Sequence, residues 1–101
     1  MKVDFLYYED CPSHGRALER LRRVISEEGV EAEVEVTEVK TEEQAAELRF
    51  VGSPTIRVDG EDIVPPPDGA PYALTCRAYT LEDGRVSPLP SEESIRRALR
   101  R

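Results

Sequence analysis

Apolar and polar positions along the chain change period several times, and each change predicts an element. Val3-Asp4-Phe5-Leu6-Tyr7-Tyr8 is apolar enough for a central strand over residues 3–8. Ala17, Leu18, Leu21, Val24 and Ile25 then recur at helical spacing, with Glu19, Arg22 and Arg23 on the other face, so a helix is expected from Pro12 to Glu28. Proline suits a first helical position because its missing N–H is not needed there, and Gly29 is placed to cap the end. Val30-Glu31-Ala32-Glu33-Val34-Glu35-Val36 alternates strictly, which predicts a strand with one buried and one acidic face. Its glutamates suit a sheet edge, where charge discourages pairing with other chains.

Thr41-Glu42-Glu43-Gln44 reads as a capping box, followed by a second helix to Val51 that Gly52 ends. Thr55-Ile56-Arg57-Val58 predicts a third strand, and Asp59-Gly60 a two-residue hairpin returning antiparallel through Glu61 to Val64. Pro65 to Pro71 holds four prolines and can be neither helix nor central strand. Leu74 to Leu81 predicts another strand, Asp83-Gly84 a turn, and Ser91-Glu92-Glu93 the start of a last helix with Ile95, Ala98 and Leu99 turned inward. The order β-α-β-α-β-β, an extra strand, then α implies a parallel β-α-β opening with a right-handed crossover and an added hairpin. That is an α/β fold, one mixed sheet with helices packed on it, expected as a single domain over residues 1–101.

Composition narrows the function. The net charge is −7, which argues against nucleic acid or an anionic membrane as the main partner. Arg96, Arg97, Arg100 and Arg101 are placed as cations at a helix C-terminus. No apolar run approaches the roughly 20 residues that span a bilayer, and the chain enters a strand without a basic-then-apolar leader, so a cytoplasmic location is expected. Two cysteines do not make a disulfide scaffold, and in a cytosolic chain they are reactive, metal-binding or buried.

Cys11 stands between the first strand and the first helix. Unpaired N–H groups and the helix dipole favour a thiolate there, while Glu9 and Asp10 oppose it. Cys11-Pro12-Ser13-His14 has the outline of a C-x-x-C redox motif with histidine in place of the second cysteine. His14, one helical turn from Cys11, either assists the thiolate and relays a proton or caps the apolar stripe through Leu18 and Leu21. Cys76 alternates with Leu74 and Ala78. It reads as a buried structural thiol on a strand face or, across the Pro-rich segment, as a resolving thiol for Cys11. Tyr8 or Tyr72 is a candidate to line the cleft. No Gly-rich phosphate loop, Ser/His/Asp set or zinc spacing is present, and no metal site is expected.

A cysteine after the first strand, Gly52-Ser53-Pro54-Thr55 before the third, and the following hairpin together resemble the thioredoxin superfamily in its glutaredoxin-like form. Nearly the whole chain is similar to small bacterial thioredoxin-like proteins grouped as a DF family. Some of these carry selenocysteine at the position of Cys11, and some relatives carry names from mercury resistance. The resemblance implies a cis peptide before Pro54, with the backbone N–H and C=O of Ser53 presented to an extended substrate beside Cys11, and Pro12, Ser13, Ser53 and Pro54 as substrate-binding residues. It departs at His14, where disulfide oxidoreductases have a resolving cysteine. The function implied is a monothiol or Cys-His oxidoreductase acting through Cys11 on a small thiol or protein disulfide, with no bound cofactor and an external thiol such as glutathione resolving the adduct. Two alternatives stand beside it: a peptide-binding module without turnover, and a soft-metal binder taking mercury or copper(I) on Cys11, His14 and Cys76.

Overall fold

The computed structural model describes residues 1–101 and shows a mixed α/β domain. Strand β1 (Lys2–Tyr7) lies at the centre of a four-stranded sheet of order β2-β1-β3-β4. β2 (Glu33–Glu38) pairs with it in parallel, with Phe5 opposite Val36, and β3 (Thr55–Val58) pairs antiparallel, with Phe5 opposite Ile56. β4 (Glu61–Asp62) returns across Asp59-Gly60, whose φ angles of 50° and 87° suit the two-residue turn expected there. Its ladder stops at Asp62, two short of the expected Val64; the Ile63 N–H still donates to the Ile56 carbonyl, but the Val64 N–H turns to the Asp62 carboxylate and the Val64 carbonyl to Arg77.

Alternate residues of β1 supply two cores. Val3 and Phe5, with Ile56 and Val58, face helices α1 (His14–Glu28) and α3 (Glu92–Leu99), which bury Ala17, Leu21, Val24, Ile95, Ala98 and Leu99. Leu6 faces the other way into a smaller cluster with Val39, Ala45 and Phe50, built around helix α2 (Glu42–Leu48). β2 is an edge strand as expected, but its apolar face is only partly covered: Val34 is half-buried and Val36 stays 41% exposed. Arg96 and Arg100 in and beyond the last turn of α3 join Glu28 of α1, and Arg97 and Arg101 pair with Glu82 and Glu61. The C-terminal arginines therefore fasten helices and turns together.

Several boundaries differ from the sequence reading; β1 runs over Lys2–Tyr7 where residues 3–8 are expected, and β2 over Glu33–Glu38 where residues 30–36 are expected. α1 begins at His14: Glu9 and Asp10 form a turn closed by the Cys11 N–H donating to the Tyr8 carbonyl at 3.0 Å, and Pro12 and Ser13 lie in a further turn before the helix. α2 stops at Leu48 rather than Val51; Arg49 takes the left-handed conformation at φ 55°, and the Phe50 N–H closes back on the Ala45 carbonyl. The capping box keeps its expected N-cap: Thr41 accepts from the Gln44 N–H, while the return bond differs, the Gln44 side chain accepting from the Lys40 N–H and not from that of Thr41. The long strand expected over Leu74 to Leu81 does not form. The segment makes one parallel bridge, Ser53 to Cys76, and then a small separate hairpin, β5 (Tyr79–Thr80) with β6 (Val86–Ser87), around the expected turn at Gly84. No helix is long and apolar enough to cross a membrane.

Candidate functional site

The turn before α1 carries Cys11 into the protein. It is 1% exposed, its sulfur lying 3.5 Å from the Ser13 hydroxyl and 3.6 Å from the Ser53 carbonyl oxygen. The Ser53–Pro54 peptide is cis, Ser53 and Pro54 are buried, and Pro12 is exposed. The first strand, the start of α1 and the approach to β3 thus converge on one sulfur.

That sulfur is bonded to Cys76. The two Cα atoms are 5.6 Å apart, within the range a disulfide spans, across 65 residues of sequence. This overturns the reading of Cys76 as a buried thiol on a strand face: Cys76 is exposed, as are Thr75 and Ala78. Alternation fails as a guide here because no strand ladder lies along residues 74–78; of Leu74, Cys76 and Ala78, which alternate, only Leu74 is drawn in, against the Phe50 cluster.

Residues 73–77 form a strap alongside residues 50–53. The Ala73 N–H donates to the Phe50 carbonyl at 3.0 Å, the Ser53 N–H to the Thr75 carbonyl at 2.8 Å, and the Arg77 N–H to the Ser53 carbonyl at 2.9 Å. Both backbone groups of Ser53 are therefore taken by the chain's own strap. Gly52 makes this closeness possible. A Cβ there would fall 2.9 Å from the Arg77 Cβ, and its φ of 140° is one that side-chain-bearing residues rarely adopt. Gly52 belongs to strap packing, not to the end of α2.

Arg77 anchors the strap beyond Cys76. Its guanidinium donates to the Asp62 carboxylate at 2.8 and 3.3 Å, to the Val64 carbonyl and to the Thr55 hydroxyl, and lies 4.6 Å from the centre of the Tyr79 ring. The Tyr79 hydroxyl in turn donates to the Pro54 carbonyl, and burial pushes this phenol well above its ordinary range. Sequence reasoning missed Arg77, Asp62 and Tyr79. The available sign was a single cation placed between Cys76 and Tyr79 in an otherwise apolar alternation.

His14 is turned to other neighbours. Its ring stacks on Tyr7 at 4.6 Å between centroids, and its Nε2 lies 3.8 Å from a Glu9 carboxylate oxygen. The polar neighbours of the Cys11 sulfur are Ser13 and Ser53. Tyr8 bonds Asp10 and Tyr72 is 46% exposed. No three His, Cys, Asp or Glu side chains gather as a metal-holding group. A cavity of about 450 Å3 between residues 63–65, β5 and α3 is lined by neither cysteine. Ser53 Oγ, fully buried, has no hydrogen-bond partner.

No protein-family model, curated protein or solved structure matches this chain.

Proposed function

We propose that this chain is a thioredoxin-like thiol–disulfide exchange protein of the cytoplasm, working through Cys11 and Cys76 in place of a C-x-x-C pair. The observation that carries the reading is the disulfide itself, at the junction of a strand and a helix beside a cis-proline. The sheet order β2-β1-β3-β4, with β2 parallel and β3 antiparallel to β1, is compatible with the resemblance. Cys76 supplies inside the chain the second thiol that Cys11-Pro12-Ser13-His14 lacks. The external thiol expected to resolve a monothiol adduct then becomes a substrate or reductant. Disulfides in cytosolic proteins are mostly transient and catalytic or redox-sensing, which fits a working pair.

The test compares wild type, Cys11→Ser and Cys76→Ser in reduction of a protein disulfide and of a glutathione mixed disulfide. The pair model expects both substitutions to abolish protein-disulfide reduction. Full activity in Cys76→Ser with none in Cys11→Ser would restore the monothiol mechanism. Wild type that turns over neither substrate would leave the peptide-binding reading.

A further inference from the structure

The two sulfurs are not equivalent, and we propose that Cys76 is the one that meets the partner while Cys11 is the one that leaves. This rests on the exchange reading above and adds a direction to it.

A thiolate attacks a disulfide along the S–S axis, from the side opposite the departing sulfur, so access to each sulfur is access to its far side. Behind Cys11 the approach is filled. Cys11 is 1% exposed, and Ser13 and Ser53, which lie against its sulfur, are both buried. Cys76 is exposed, and so are Thr75 before it and Ala78 just beyond Arg77. An incoming thiolate therefore reaches Cys76.

Departure is asymmetric in the same sense. Attack at Cys76 forms a bond between the partner's sulfur and Cys76 Sγ, breaks the Cys11–Cys76 bond, and leaves the electron pair on Cys11. The new thiolate lies 3.5 Å from the Ser13 hydroxyl, which can donate to it, and just ahead of the first turn of α1. Attack at Cys11 would instead leave the pair on an exposed strap residue. A second thiol on the same partner then attacks the partner's own sulfur in the mixed disulfide. Cys76 is released as thiolate, the partner becomes a disulfide and this protein a dithiol, with two electrons transferred. The reverse sequence reduces a partner disulfide: Cys76 forms the mixed disulfide and Cys11 resolves it.

The strap suits this division. Its backbone bonds to Phe50 and Ser53 and its Arg77 anchor do not depend on the S–S bond, so Cys76 stays beside Cys11 while it carries the partner. Cys11, the residue at the motif position, thus acts as the resolving sulfur.

The oxidised wild-type protein is mixed with glutathione, quenched in acid on the millisecond-to-second scale before a tenth of it has reacted, alkylated with N-ethylmaleimide, digested and mapped by mass spectrometry. The expected product carries glutathione on Cys76 and maleimide on Cys11, in excess of the converse product by at least about tenfold. Glutathione on Cys11 with maleimide on Cys76, or an even mixture, overturns the assignment but leaves the exchange reading standing. No adduct at either cysteine while the fold is intact removes both.

Discussion

Reducing the Cys11–Cys76 bond should cost this fold about 4 kcal/mol. The bond closes a separation of 65 residues. Chain-entropy reasoning assigns the unfolded ensemble a loss of about 14 cal/mol/K for a loop of that size, or about 4.3 kcal/mol at room temperature. For 101 residues the unfolding entropy is about 0.2 kcal/mol/K, so the melting temperature should fall by about 20 °C on reduction. Calorimetry with and without a phosphine reductant reads the shift, with Cys76→Ala as the permanently open form. The same free energy must appear in the redox equilibrium, because a bond that stabilises the fold is stabilised by it. The native disulfide should be about a thousandfold harder to reduce in a glutathione buffer than the same pair in the denatured chain. A shift below about 5 °C would refute the entropic account. Higher stability after reduction would show that the fold favours the dithiol, making the protein an oxidant of its partners.

Two further expectations concern the groups around the strap and between the helices. Arg77→Met should destabilise the reduced protein by about 3–5 kcal/mol in urea titration, because it leaves the 12%-exposed Asp62 carboxylate without its guanidinium; adding Asp62→Leu should recover most of the loss. The Glu28 carboxyl is held below the usual range, first by its hydrogen bond from Arg100 and then by Arg96. Its stabilising effect is full above the unfolded value of about 4.3 and is lost as pH falls through the lower folded one. Glu28→Gln should therefore melt below wild type at neutral pH, with the gap closing in acid.

Most of the scaffold was legible because its elements are local. The apolar run of β1, the helical stripe of α1, the Asp59-Gly60 turn and the Ser91 cap each act within a few residues, and each appears within two residues of where its pattern sits. The errors share one physical source. α2 was extended to Gly52 because glycine is a common helix stop, yet Arg49 already takes the left-handed position, and Gly52 is needed for the approach of Arg77, 25 residues away. Of the two readings of Cys76, the buried face presumes a ladder that does not lie beneath it, while the thiol within reach of Cys11 fits the pair. The position of Cys76 is set instead by bonds to Phe50 and Ser53 that no local pattern encodes. Cys11 is legible as a site, since strand end and helix start are both local; Cys76 is legible only as one of two alternatives, because the strap bonds that bring it to Cys11 join residues distant in sequence.

The strap also changes what the region around Ser53 means. With free backbone groups, Ser53 would offer one N–H and one C=O to an extended peptide, as a binding module requires. Here the Thr75 carbonyl and the Arg77 N–H occupy both. A peptide could pair there only after the strap lifted, which would break those two bonds and uncouple Cys76 from Cys11. The Arg77 anchor, buried against Asp62 and Tyr79, opposes that motion even when the sulfurs are reduced. Exchange at the exposed sulfur asks for no such rearrangement. Between the exchange and peptide-binding readings, the exchange proposed at Cys76 is the one that requires no movement of the strap.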